Sequence, residues 1–336
     1  MALSLVGLAL LFAANTLAEI AFDPLDPNVE HARALSARLD RLPQDNHVLF
    51  IGDSRTHQGM DPRVFTAELR ALGRDGVRAY NLGRPGMQTP FFFYSLQSYL
   101  ATATQTPDAI IVNVSYYLLS ERDWLERIYF RGFTPSVAQA RDSVDAGLLT
   151  PFGAAKWYLC PRLALCRYRA TLQNVVLPAA ADPGDAFVTA LWRHRLLEAT
   201  NYAGETRGYH PRGEGFIGEG TRSEGRIFAT GRAEPIFLDY FTRFLDLAER
   251  HGIQVLYYEF PWPPAHDTQE DHDRIAHYRE ILRKAAGAST VFTPISYDYT
   301  WEHTLFSDPL HLNNQGANRL SRLAARWWMA VEDGEG

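Results

Sequence analysis

A serine hydroxyl is a weak nucleophile until a base takes its proton, and the base works only when a third group holds it in orientation. Candidates for all three roles stand near the two ends of the chain. Gly52-Asp53-Ser54 follows the apolar run His47-Val-Leu-Phe-Ile51 and precedes a predicted helix near Asp61-Pro62. That context puts Ser54 on a tight turn beside backbone N–H groups able to stabilise an anion. Far downstream, Ser307-Asp308-Pro309-Leu310-His311-Leu312 stands just before the last predicted helix. Asp308 and His311 are three residues apart, so a turn sets the carboxylate on one imidazole nitrogen and leaves the other facing Ser54. The pattern predicts Ser54 as nucleophile, His311 as base and Asp308 as its orienting partner.

Acyl transfer of this kind also needs donors aimed at the developing oxyanion. Three are available: the N–H of Ser54, the N–H of Gly83 after Val77-Arg-Ala-Tyr-Asn-Leu82, and the side-chain amide of Asn113 in Ala109-Ile-Ile-Val-Asn-Val114. A glycine at 83 lets the backbone approach closely, and an amide is out of place in an otherwise aliphatic strand. Arg55, His57, Arg84 and Gln88 fall on the same predicted face and are candidate substrate contacts. His57 is too near Ser54 in sequence to fold back as its base.

Other chemistries find less support. His266-Asp-Thr-Gln-Glu-Asp-His-Asp273 has the composition of a metal cluster, yet Thr268 followed by Asp271 reads as a helix start with acids suited to its first turn. The glycine-rich nucleotide-binding patterns and the Gly-x-Ser-x-Gly elbow do not occur. Neither a metal nor an organic cofactor is expected. Asn113-Val-Ser115 matches a glycosylation sequon, but a catalytic strand end is a poor acceptor.

The elements that must position these residues follow from periodicity. Apolar runs at 47–51, 77–82, 109–114, 253–260 and 290–295 alternate with helical patterns at about 62–73, 89–103, 234–251, 269–287 and 313–331. Alternation of that kind predicts an α/β fold, a three-layer α/β/α sandwich around a mostly parallel, flavodoxin-like five-stranded sheet. Ligands in such sheets bind beyond the carboxyl ends of the strands, the ends that carry Ser54, Gly83, Asn113 and Glu259. The alternation fails from about 116 to 232, where a long insertion is expected over the active face, as a lid, a groove or a surface elaboration.

Four blocks taken in order, Gly52-Asp53-Ser54, Gly83, Asn113 and Asp308-Pro309-Leu310-His311, resemble the hallmark blocks of the SGNH (GDSL-type) hydrolases. The resemblance covers residues 46–114 and 252–331. It implies the same roles: Ser54, Asp308 and His311 catalytic, Ser54, Gly83 and Asn113 in the oxyanion hole. The third block departs from the family's usual Gly-x-Asn-Asp, reading Ile111-Val112-Asn113-Val114. Members working at bacterial envelopes imply a substrate class, acylated polysaccharide or another small ester, and a membrane-bound O-acyltransferase as partner. The alternative is a non-catalytic glycan-binding or scaffolding subunit of an acylation complex.

The chain has 336 residues, 46% of them hydrophobic and 21% charged, which excludes a disordered or polytopic membrane protein. A net charge of −6 gives no field to attract nucleic acid. Residues 1–22 begin with fifteen uncharged positions and are read as an anchor or export signal. They predict an exported, periplasmic or extracytoplasmic protein held at the membrane. Residues 23–45 follow as a linker with a short helix, and 46–331 as the catalytic domain. Cys160 and Cys166, with five residues between them, permit either a small disulfide loop or two thiols.

Overall fold

The computed structural model describes residues 12–18, 46–102, 105–120, 134–167, 209, 211–221 and 233–334. The expected helix within 23–45 and much of the expected insertion at 116–232 lie outside the described residues. The chain divides into two compact units, residues 1–36 with 126–204 and residues 37–125 with 205–336.

The second unit holds the sheet. Its strands β1 (His47–Ile51), β2 (Arg78–Asn81), β3 (Ala109–Val112), β4 (Gln254–Tyr258) and β5 (Phe292–Ile295) lie in the order β2-β1-β3-β4-β5. Every neighbouring pair is parallel. All five residues of β1 are buried, as an unbroken apolar run demands when both faces are covered. The crossovers are helical: α1 (Ser54–Gly59) and α2 (Pro62–Ala71) after β1, α3 (Thr89–Thr102) after β2, α4 (Pro235–Arg250) before β4, α5 (Gln269–Ala286) after β4. The last helix, α6 (Asn314–Glu332), ends the unit.

On one face α2 and α6 pack together, so that Phe65, Leu69, Leu320, Ala324 and Trp328 join Val48, Phe50, Ile111 and Leu256 in one core. On the other, α3 meets α4 through Phe92 against Phe244 at 6.0 Å and Phe93 against Tyr240 at 5.8 Å. The helices start where their caps direct. Asp61 accepts from the N–H of Arg63 with Pro62 in the first turn of α2, Thr268 accepts from Asp271 at α5, and Asn313 accepts from Gly316 at α6. The stretch around Thr268 therefore serves as the start of α5.

Two elements were not expected. The turn after Asp53 is already helical, as α1, and the Asp308 segment forms an antiparallel hairpin of β6 (Phe306–Asp308) and β7 (His311–Leu312). Both are too short for periodicity to reveal them.

The first unit contains a helical run at 12–18 and helices at Val137–Asp145 and Pro151–Leu159. Ser136 and Gln139 form a capping box on one, and Thr150 caps the other. Cys160 and Cys166 are joined as a disulfide, and Ala18 is buried with Ala164. One expectation is overturned here. No helix among the described residues is long and apolar enough to cross a membrane. Residues 1–22 are the segment on which a membrane anchor was expected. The extracytoplasmic, membrane-anchored placement and the membrane-bound acyltransferase partner, both argued from that segment as an anchor, are withdrawn with it.

Candidate active site

β1 delivers its chain between β2 and β3, where the direction of strand progression reverses. Gly52 follows, and only a glycine fits. A Cβ there would lie 2.1 Å from Thr56 Oγ1 and 3.1 Å from the carbonyl oxygen of Asn113. Asp53 then caps α1, its Oδ1 accepting the Arg55 N–H at 2.9 Å. Its other carboxylate oxygen accepts a hydrogen bond from the Ser115 hydroxyl. The turn after β1 is thereby tied to the end of β3, and Ser54 is left as the first residue of α1. The first-turn N–H groups of a helix have no acceptor within it.

The hairpin brings the downstream block to the same rim. His311 Nε2 lies 2.8 Å from Ser54 Oγ. His311 Nδ1 lies 2.9 Å from both Asp308 Oδ1 and Asp308 Oδ2. The Leu310 N–H donates to Asp308 Oδ1 at 2.8 Å, so one backbone group of the turn fixes the carboxylate. Burial acts to raise the Asp308 carboxyl. The His311 hydrogen bond and charge, the Leu310 N–H and the Arg212 guanidinium together outweigh it and hold the group below its ordinary value.

The proposed oxyanion donors sit at the expected strand ends but are engaged differently. Among the described residues no acceptor takes the Ser54 N–H. The Gly83 N–H donates to Asn81 Oδ1 at 2.9 Å, and a Cβ on Gly83 would lie 2.8 Å from the His57 backbone nitrogen. Asn113 is buried, and one of its amide hydrogens goes to the Tyr258 carbonyl at 3.1 Å. Buried donors must be paired, and these two pair with the protein. Burial of Asn113 also removes it as a glycosylation acceptor.

The four expected substrate contacts divide. Arg55 is buried with its guanidinium 5.7 Å from the centre of the Phe260 ring. His57 is buried, and Gln88 is buried with its amide donating to the Leu118 carbonyl at 2.8 Å. Arg84 is half-buried at the rim, its pKa pulled down by desolvation to about 10, which leaves it charged at neutral pH.

Three residues escaped the sequence reading. Asn81 donates to the carbonyls of Thr56 and Met60, each at 2.8 Å, and clamps both ends of α1 while holding Gly83. The clue was the one that singled out Asn113, a polar amide closing an apolar strand. Ser115 lay within the discarded sequon. Arg212 pairs with Asp308 and also donates to Ser307 Oγ at 3.0 Å and Gln58 Oε1 at 3.3 Å. Nothing in its surroundings in the sequence signals that role.

No family model matches the chain, and no curated protein does either. Among solved structures, a lipase/acylhydrolase from Enterococcus faecalis is similar at 12% identity and a TM-score of 0.37, over 84% of this chain and 94% of that one. A GDSL-like lipase from Bacteroides thetaiotaomicron is similar at 9% identity and 0.39, over 90% and 98%. A catalytic mutant of an acetylxylan esterase from Geobacillus stearothermophilus gives 9% and 0.39, over 85% and 94%. This is a distant likeness of fold, and the chemistry is argued from the site's own atoms.

Proposed function

We propose that the chain is a serine-dependent esterase or O-acyltransferase working through an acyl-Ser54 intermediate. The observation that supports it is the unbroken hydrogen-bonded path from Ser54 Oγ through both nitrogens of His311 to the Asp308 carboxylate. Ser54 Oγ attacks the ester carbonyl carbon while His311 Nε2 takes the hydroxyl proton, and Asp308 steadies the imidazolium that forms. When the tetrahedral species collapses, the bond to the leaving oxygen breaks and His311 returns its proton to that oxygen. Water or an acceptor hydroxyl then attacks the acyl-enzyme with His311 again as base. The Ser54 N–H and the second amide hydrogen of Asn113 are the donors at hand for the oxyanion. Gly83 joins them only by exchanging Asn81 for it.

Hydrolysis and transfer differ solely in the second acceptor, and the same three side chains serve both. A fluorophosphonate probe should label Ser54 in the wild-type chain and not in Ser54→Ala. A folded wild-type protein that takes no label would sink this reading in favour of a binding or scaffolding subunit. Release of p-nitrophenol from a small aryl ester, followed by deacetylation of acetylated polysaccharide, then assigns the acyl carrier.

A further inference from the structure

The stretch 211–221 runs back along the hairpin that carries Asp308 and His311 and is pinned there at several points. Ile217 N–H donates to the Phe306 carbonyl at 3.0 Å, and Asn314 N–H donates to the Gly213 carbonyl at 2.9 Å. The Asn313 side chain donates to the Gly215 carbonyl at 3.1 Å, and Tyr209 donates its hydroxyl hydrogen to Asn314 Oδ1 at 3.2 Å. This strap hands Arg212 to the carboxylate that orients the base. The Asp308 carboxylate is consequently held from two sides, by the Leu310 N–H on Oδ1 and by Arg212 Nη2 on Oδ2, with the imidazole Nδ1 shared between the two oxygens.

We propose that Arg212 is a positioning residue, whose guanidinium fixes the rotation of the Asp308 carboxylate and offsets part of its charge, setting both the aim and the basicity of His311. The inference rests on the reading of His311 as base. Only the fork of an arginine can span Asp308, Ser307 and Gln58 at once. Without it, Asp308 Oδ2 loses its only donor apart from His311 among the described contacts, and the carboxylate is free to swing. The charged groups that act on the Asp308 carboxyl are His311 and Arg212, and Glu214 on the strap is bonded to Asn314. Apart from His311, Arg212 is the one that touches Asp308 directly.

The sign of the effect follows from charge. A cation beside the pair disfavours the positive charge that His311 takes on as base, so its removal moves the acid limb of the kcat/KM profile to higher pH. For charges about 6 Å apart with water-like screening the shift is about half a pH unit. Loss of aim should also lower kcat by between about 10- and 100-fold, with KM little changed. The test compares Arg212→Ala and Arg212→Lys on p-nitrophenyl acetate between pH 5 and 9. The limb should move up in Arg212→Ala and return in Arg212→Lys, which keeps the charge but not the fork and so keeps a lowered kcat. A limb unmoved in folded Arg212→Ala overturns the proposal whatever happens to the rate, as does a limb that stays moved in Arg212→Lys. Should Arg212→Ala fail to fold, Arg212→Gln is read in its place. The His311 ring titration, followed by NMR in the same proteins, reports the pairing even if the wild type hydrolyses no ester. That separates failure of this inference from failure of the catalytic reading.

Discussion

Asp308→Asn changes one atom's chemistry and leaves the shape of the turn, which makes it the sharpest test of how the three side chains cooperate. The carboxylate receives the Leu310 N–H on Oδ1 and Arg212 Nη2 on Oδ2. An asparagine offers a single acceptor oxygen, so its amide hydrogens must point at one of those donors or displace it. If the amide nitrogen turns toward His311 instead, Nδ1 must accept, the ring proton moves to Nε2, and Nε2 can no longer take the proton of Ser54. Electrostatics acts in the same direction. Opposite unit charges about 4 Å apart interact by about 4 kcal/mol at an effective dielectric of about 20. The Asp308 side chain is 33% exposed, and solvent screening reduces the figure to about 2–4 kcal/mol. That loss is realised only when the imidazolium forms, so kcat should fall by about 30- to 1,000-fold while KM holds. The assay is steady-state hydrolysis of p-nitrophenyl acetate at pH 7, with circular dichroism to show that the fold is intact. A folded Asp308→Asn protein retaining a third or more of wild-type kcat would refute the assignment of Asp308 and the coupling argument with it.

Two further expectations concern stability. Asn81→Ala removes one buried amide that serves the Thr56 and Met60 carbonyls and the Gly83 N–H. It should cost about 3 kcal/mol, read as a lower urea midpoint, and an unchanged midpoint would show that the clamp carries no load. The lowered carboxyl of Asp308 contributes stability that is present above its unfolded pKa of about 3.9 and is lost as pH falls through the lower folded value. The stability gap between the wild type and Asp308→Asn should hold from pH 7 to 5 and shrink toward pH 2. A gap that widened on acidification would reverse the sign of the linkage.

The sheet was legible because inner strands such as β1 and β3 are buried on both faces and read as unbroken apolar runs. A run such as His47–Ile51 needs no partner to declare itself, and the helices between strands show amphipathic spacing and polar caps. The pairing of Asp308 with His311 was legible because three residues span a turn, and the meeting of His311 with Ser54 followed from putting both at one rim. Hydrogen-bond allegiance was not legible. Gly83 and Asn113 stand at the foreseen strand ends, but a buried amide takes the nearest acceptor, for Gly83 the Asn81 side chain two residues back and for Asn113 the Tyr258 carbonyl of β4. Arg55, His57 and Gln88 share a predicted face yet are buried, since the spacing that identifies a face does not report whether it meets water or another element. Arg212 sits in a glycine-rich stretch without periodicity, and only the tertiary fold shows what its fork reaches. The N-terminal segment was read from composition, and an uncharged start does not by itself make a helix long and apolar enough to cross a membrane.

A site assembled from residues 257 positions apart needs a common support, and α2 and α6 provide it. The hairpin bearing His311 leads directly into α6, whose cap Asn313 accepts from Gly316 and donates to the Thr304 carbonyl. The turn bearing Ser54 leads through α1 into α2, whose cap residue Asp61 donates its N–H to Ser321 of α6 at 2.7 Å. Beneath that bond the two helices share one core with Phe50 of β1. Ser54 and His311 are thus each one short element away from a single helix pair that shares a core with β1. A register shift between α2 and α6 would change the distance from Ser54 to His311 directly, whereas the edge strand β5 carries neither residue. Substitutions that loosen the α2–α6 seam, Ser321→Ala among them, should therefore lower turnover out of proportion to their cost in stability.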